Sequence, residues 1–460
     1  MKIFSKSFFT ILSLLSNQLF SQNTFVRSYN SSIQQKGSAV FETGSNFLFV
    51  TDMNGQKANS FFIKLLMVDS LGYTKFSKSL HIPENGYLSG GIKFGDSFIL
   101  AINYKEFYKN KSIILKIDSS LNEVWSITIA NSTRELLATS LIQSSDNSIL
   151  ICGNCKSIYK DQRDFFILKL NPNGENLWYK EINIGMNTYI SALQEKEDGT
   201  LILCGELEHP NHSRSLLICQ TDSNGESPVF KSYNFNSNCG ATFITKYNSN
   251  YVVGGYSNDA NQKHSDGIVL FMDQNMDSTS SFTFDLGLNE TIYSYTADAN
   301  ELTVVGNTQN YSSEYGDVFI LKFDKNNSYI NYKLIKGLSG NHAGSQITST
   351  KDNGLIIGTT SYNCSALLIK TDRNGELFQL PDIESAHFEL AGPNPSSGKF
   401  YFYGNDEVTK CIVYSMDGKI IKEFSSNEFD LTQYGNGIYF YEVKFSSGQI
   451  QTGKLIKLSY

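Results

Sequence analysis

A short apolar strand that runs into an Asx-rich turn recurs seven times along the chain. The copies are Phe61-Phe62-Ile63-Lys64 leading to Asp69, Ile113–Asp118, Phe166–Asn171, and Leu216–Cys219 leading to Asp222. Ile268–Asp273, Val318–Asp324 and Leu367–Asp372 complete the series. Their turn residues lie 49, 53, 51, 51, 51 and 48 positions apart. A period this regular is the mark of a repeat architecture, and it has to be read before any single motif. No segment keeps a 3.6-residue apolar period across a repeat, so helical solenoids are excluded.

Each unit carries up to four strand signals. The second strands end on a glycine, at Gly153, Gly205, Gly255, Gly306 and Gly358, where a missing Cβ lets neighbouring backbone approach. The third and fourth strands are joined by turns such as Asn171-Pro172-Asn173-Gly174, Asp222-Ser223-Asn224-Gly225 and Asp372-Arg373-Asn374-Gly375. Asx initiates such a turn and Gly supplies the positive φ before the next strand. Phe76, Trp125 and Trp178 each follow the turn Asx by seven residues and mark the outer strand. Four antiparallel strands per unit, repeated radially, predict an all-β chain built as a seven-bladed β-propeller over 22–381. The Asp-x-Phe-Ile/Val-x-Lys-x-Asp/Asn-x-x-Gly-x-x-x-Trp pattern, fullest from Asp164 to Trp178, resembles the seven-bladed repeat of many secreted bacterial proteins. Blade 5 departs from it, with Phe271 for the Lys and Met276 for the Gly.

Residues 1–21 have the form of a signal peptide, with Lys2 and Lys6 ahead of the apolar run Phe8–Leu15 and Ser21 before the expected mature start at Gln22. The run is too short to span a membrane, and no other stretch is long enough. The segment Phe25-Val26-Arg27-Ser28-Tyr29-Asn30 is spare by strand count. It resembles Val229-Phe230-Lys231-Ser232-Tyr233-Asn234, the outer strand of blade 4. It is therefore expected to close the ring by joining blade 7, in preference to the rival donor Glu376–Leu380.

The period stops after Pro381. A linker at 382–391 and a small β-sandwich over 388–460 are expected. Asp417-Gly418 reads as a hairpin turn, and Gly437–Phe445 as a half-buried strand. Pro393, Asn394, Pro395, Gly398, Asp417, Gly418, Lys419, Gly437, Tyr439 and Lys454 occur in this order at the C-terminus. The module resembles the type A C-terminal sorting domain of the Bacteroidetes type IX secretion system. That resemblance implies a type IX translocon and a surface sortase as partners, with a secreted or cell-surface destination after passage across the outer membrane.

The net charge of -7 argues against a nucleic-acid partner. HExxH, GxSxG, P-loop and GxGxxG motifs are absent, and no catalytic residue, metal site or cofactor is expected. Cys152-Gly-Asn-Cys155 has redox spacing, but Cys152 occupies the same repeat position as Cys204, which reads as core. His209, His212 and His264 fall in loops that open on one face, and read as solvated. The DxNG turns lack the later acidic ligands of a calcium loop. Asp164, Asp266 and Asp317 recur before third strands and read as repeat structure rather than as a site. Loops between second and third strands carry Tyr104, Tyr108, Tyr159, Tyr256, Tyr311, Tyr315 and Tyr362, a candidate binding rim. The expected function is a non-catalytic scaffold that binds a glycan or a protein. The alternative is a propeller hydrolase or lyase with its site at the channel mouth.

Overall fold

The second and third strands of the repeat units are rich in Ile, Leu, Val and Phe and are buried on both faces. In blade 3, Ile149 and Ile151 point into one apolar cluster, while Leu150 and Cys152 point into the next. Such a strand needs a neighbouring sheet on each side. The computed structural model describes residues 23–30, 38–54, 61–83, 86–107, 109–235, 238–258, 264–309, 316–336, 342–361, 365–377, 391–392, 396–402, 407–416, 418–446 and 450–458. The chain forms two compact units, Met1–Gln379 and Leu380–Tyr460.

The first unit holds seven antiparallel four-stranded sheets. Six are sequential, spanning 38–82, 87–129, 134–182, 187–233, 239–284 and 289–335. The seventh takes three strands from 342–371 and its fourth from Phe25–Asn30. First strands touch first strands from blade to blade, and that of blade 7 touches that of blade 1, so the ring is closed. Seven apolar clusters lie between successive blades, the last joining blade 7 to blade 1. This is the seven-bladed β-propeller expected from the period.

All seven turns between third and fourth strands share one geometry. The Oδ1 of Asp69, Asp118, Asn171, Asp222, Asp273, Asp324 or Asp372 accepts two backbone N–H groups, from residues two and four positions on, at 2.7–3.0 Å. The residue three positions on has a positive φ in every copy. Gly fills this place at 72, 174, 225 and 375, whereas Leu121, Met276 and Asn327 accept the strain. The second-strand glycines answer a different demand. In blades 3 to 6 a β-bulge in the first strand pushes a carbonyl toward them, and a Cβ on Gly205 would lie 2.0 Å from the Tyr189 oxygen.

Outer strands stitch each blade to the next blade's turn. Trp125 donates its indole N–H to the Pro172 carbonyl at 3.1 Å, and its ring covers Gly174. Lys180 pairs with Glu226, Lys231 with Asp277 and Lys333 with Glu376. The N-terminal strand follows the same rule. It pairs antiparallel with Ser365–Thr371, Phe25 opposite Lys370 and Asn30 opposite Ser365. Arg27 lies over the Tyr73 ring at 4.4 Å, and the Tyr29 hydroxyl donates to the Gly72 carbonyl at 2.6 Å. Tyr233, the residue matched to Tyr29 in sequence, donates to the Met276 carbonyl at the equivalent turn position. The N-terminal strand is therefore the one that closes the ring. Glu376 and Leu377 of the rival segment serve the joint of blades 6 and 7 instead, and 378–380 lie outside the described residues.

The second unit packs a three-stranded sheet and a four-stranded sheet around Phe400, Phe402, Phe429, Tyr441, Val443 and Phe445. The expected hairpin joins Val408–Ser415 to Ile420–Phe424, with Gly418 at φ 79.

Deleting residues 23–30 should strip the outer edge of Ser365–Thr371. Hydrogen exchange should show protection lost first in blade 7, and stability should fall by roughly 4 kcal/mol, from burial of Phe25 and its neighbours alone. Unchanged protection in blade 7 would show that another segment closes the ring.

Candidate functional site

The joint of blades 5 and 6 carries an open polar pocket of about 340 Å³. Thr242, Tyr256 and Asn258 come from the first two strands of blade 5, and His264 and Ser265 from the start of its third. Asn289, Thr291 and Tyr293 alternate along the first strand of blade 6, and Asn307 and Gln309 end its second. Strand alternation sends the intervening residues, Glu290 and Ile292, to the opposite side.

The pocket is braced from blade 4. Tyr256 donates its hydroxyl to Glu206 at 2.8 Å, and Arg214 holds the other Glu206 oxygen at 2.7 Å. The guanidinium of Arg214 lies over the Tyr189 ring at 4.7 Å, and that of Arg163 at 5.1 Å. Burial and the neighbouring Glu206 charge push the Tyr256 phenol well above its usual range, so it stays a neutral donor.

Three asparagines position the first strands. Asn187, Asn238 and Asn289 accept the N–H of Arg163, Arg214 and Ser265 at 2.9, 2.8 and 3.1 Å. They stand 51 residues apart, a spacing present in the sequence beneath the stronger signals of the apolar strands and Asx turns.

Beside the pocket, Asp266, Asp285 and Glu290 bring one carboxylate oxygen each within 4.8 Å of one another. Glu290 is fully enclosed, and neither of its oxygens has a hydrogen-bond partner. Burial pushes its carboxyl up to about 7, and the charges of Asp285 and Asp266 add to the effect. Backbone of Leu286 and Leu288 opposes the shift without making a hydrogen bond of ordinary geometry. Asp164 holds the Asp266 position in blade 3 but has a different environment, paired with Arg134 at 2.7 Å.

Of the expected rim, Tyr256 lines the pocket and Tyr159 is 77% exposed. Tyr104 is a correction: it lies buried on the strand Ser97–Glu106, which runs past it before turning. Tyr108, Tyr311, Tyr315 and Tyr362 lie outside the described residues. His209 bonds Ser215 and His212 bonds Glu208, so the two do not converge. Cys152 and Cys155 sit on one strand at odd spacing. They enter opposite clusters, between blades 3 and 4 and between blades 2 and 3, and cannot share a metal or a disulfide.

In the second unit, the Gly398 carbonyl accepts the Leu431 N–H at 2.7 Å, and a Cβ there would strike Thr432. Tyr439 is buried and donates to the Gly435 carbonyl, while Lys419 and Lys454 are exposed. Gly437 opens the central strand Gly437–Phe445. Pro393, Asn394, Pro395 and Asp417 lie outside the described residues. Residues 392–458 match the family model for the secretion system C-terminal sorting domain. The second unit is a sorting domain. It marks the chain for secretion to the cell surface or beyond, in agreement with the resemblance read from its motifs.

No curated protein matches the chain in sequence. Among solved structures, the chain is similar to the β-propeller domain of the Trilobed protease from Pyrococcus furiosus, at 12% identity and a TM-score of 0.45, covering 78% of this chain and 99% of that one. It is also similar to the Hadza microbial sialidase Hz136, at 8% identity and 0.44, over 68% and 73%. Drosophila Plexin A in complex with Semaphorin 1b follows at 7% and 0.46, over 76% and 88%. Among the described residues no helix is long and apolar enough to cross a membrane.

Cys152, Cys155, Cys204, Cys219, Cys239 and Cys411 are free and buried, and burial pushes the Cys152 thiol up to about 12. These six thiols should stay unreactive toward an aromatic disulfide reagent at pH 8 and react together in denaturant. Rapid labelling of Cys152 in the native protein would contradict the core reading.

Proposed function

We propose that the propeller is a non-catalytic binding module for a neutral glycan, displayed outside the cell by type IX export. The observation that carries the ligand reading is the pocket lining. Asn258, Asn307, Gln309 and Thr291 line the pocket with neutral amides and a hydroxyl, Asn289 and Thr242 are neutral too but spend their hydrogen bonds on the protein's own backbone, and Tyr256 and Tyr293 add rings. Amides and hydroxyls match a polyhydroxylated ligand that carries no charge, and the volume falls at the low end of small-ligand sites. A catalytic pair for glycoside hydrolysis must reach the substrate from both sides of the scissile bond. Glu290, the carboxyl held near pH 7, is fully enclosed and does not line the pocket.

The purified protein should bind neutral oligosaccharides in calorimetry. Tyr293→Ala or Asn307→Ala should weaken binding about tenfold, the loss of roughly 1.4 kcal/mol. Release of reducing ends from a polysaccharide would replace this reading with the hydrolase one. Binding unaffected by either variant would move the site elsewhere.

The export half of the reading rests on the sorting domain and on the leader-like residues 1–21, which lie outside the described residues. The propeller closes its ring with its own strands and has its own seven clusters, so it should fold without the second unit. Deleting 392–458 should leave folded protein in the periplasm, detected by cell fractionation. Surface display of the truncated protein would end this part of the proposal.

A further inference from the structure

We propose that Asp266, Asp285 and Glu290 hold one divalent cation, Ca²⁺, at the joint of blades 5 and 6. One oxygen from each residue lies within 4.8 Å of the other two. Two oxygens on one Ca²⁺, each at 2.3–2.6 Å, stand at most about 5 Å apart, so the spacing suits a shared ion. All three donors are carboxylates, the ligand type of hard cations rather than of zinc or copper. Asp285 is exposed and Asp266 half-buried, which leaves the ion a path from solvent.

The second observation is Glu290 itself. It is fully enclosed, both its oxygens lack a hydrogen-bond partner, and the two charges acting on it are of its own sign. A buried carboxylate in that state is costly unless it is paired or bound to a metal. The repeat does not require a carboxylate there. The first-strand bulge places Leu136, Thr188 and Cys239 at the equivalent position in blades 3, 4 and 5, and all three are buried. The Asp285 position is likewise neutral in the two preceding joints, as Asn183 and Asn234. Only at this joint, among these four, do all three places become acidic.

The proposal stands apart from the glycan reading, because its test uses calcium alone. The full-length protein is stripped with chelator and titrated with CaCl₂ in a calorimeter. One equivalent should bind with a Kd of roughly 0.1–1 mM, the range of extracellular sites. The melting temperature should rise with calcium. Asp285→Asn, an exposed change that keeps an acceptor for the Gly287 N–H, should weaken binding at least fivefold. Glu290→Gln should abolish binding and melt no lower than the calcium-free parent. Asp164→Asn, at the equivalent place in blade 3, should bind calcium as the parent does. Absence of a binding heat and of a thermal shift in the parent would overturn the proposal. So would undiminished binding in Asp285→Asn, which also covers the case in which Glu290→Gln does not fold.

Discussion

Every blade is apolar on both faces, and that single constraint governs the first unit. A sheet with one solvated face can stop at a sandwich. A sheet such as blade 3, with Ile149 and Ile151 on one side and Leu150 and Cys152 on the other, must be covered twice. A row of such sheets would always leave two faces bare at its ends. A ring leaves none, and the cluster of Phe25, Val40, Phe49, Ile356 and Leu368 is where the last bare face meets the first.

The sequence disclosed the parts of the fold that repeat locally. The Asx turns keep their spacing because each uses one side chain to bind its own backbone two and four residues on, with no help from elsewhere in the chain. The strand-closing role of residues 25–30 was legible for a related reason: Arg27 and Tyr29 do what Lys231 and Tyr233 do, so the residue types match. Leu121, Met276 and Asn327 hid part of the pattern by holding a positive φ without glycine. The acidic cluster was not legible. Its members come from three elements in two blades, and only the side-chain register across the joint brings them together. Asp266 looked like Asp164 in sequence, and only the structure shows that one has an arginine partner while the other faces two carboxylates.

The joints also show where a repeat protein has room to differ. The ladders are held by backbone pairing and the turns by one Asx side chain each, and both vary little. The slots at the start of each first strand hold Leu136, Thr188, Cys239 and Glu290 at one backbone position without changing the bulge that follows. The scaffold tolerates four chemistries there because the cost of each is local to one joint. The pocket and the carboxylates meet at the same joint for this reason, and on the first strand of blade 6 Glu290 sits between the pocket residues Asn289 and Thr291.

Closing the ring with the first strand rather than the last separates two kinds of covalent event. Lys370 pairs with Phe25, so the point where the chain leaves blade 7 lies beside the point where it entered. A cut anywhere beyond Leu377 removes no strand and no described joint contact from the ring, so the chain past that point can be exchanged without loosening it. The opposite end has little slack. A cut that intruded past Phe25 would take ladder residues with it, so the ring is sensitive to a cut at its N-terminal side and insensitive to one at its C-terminal side.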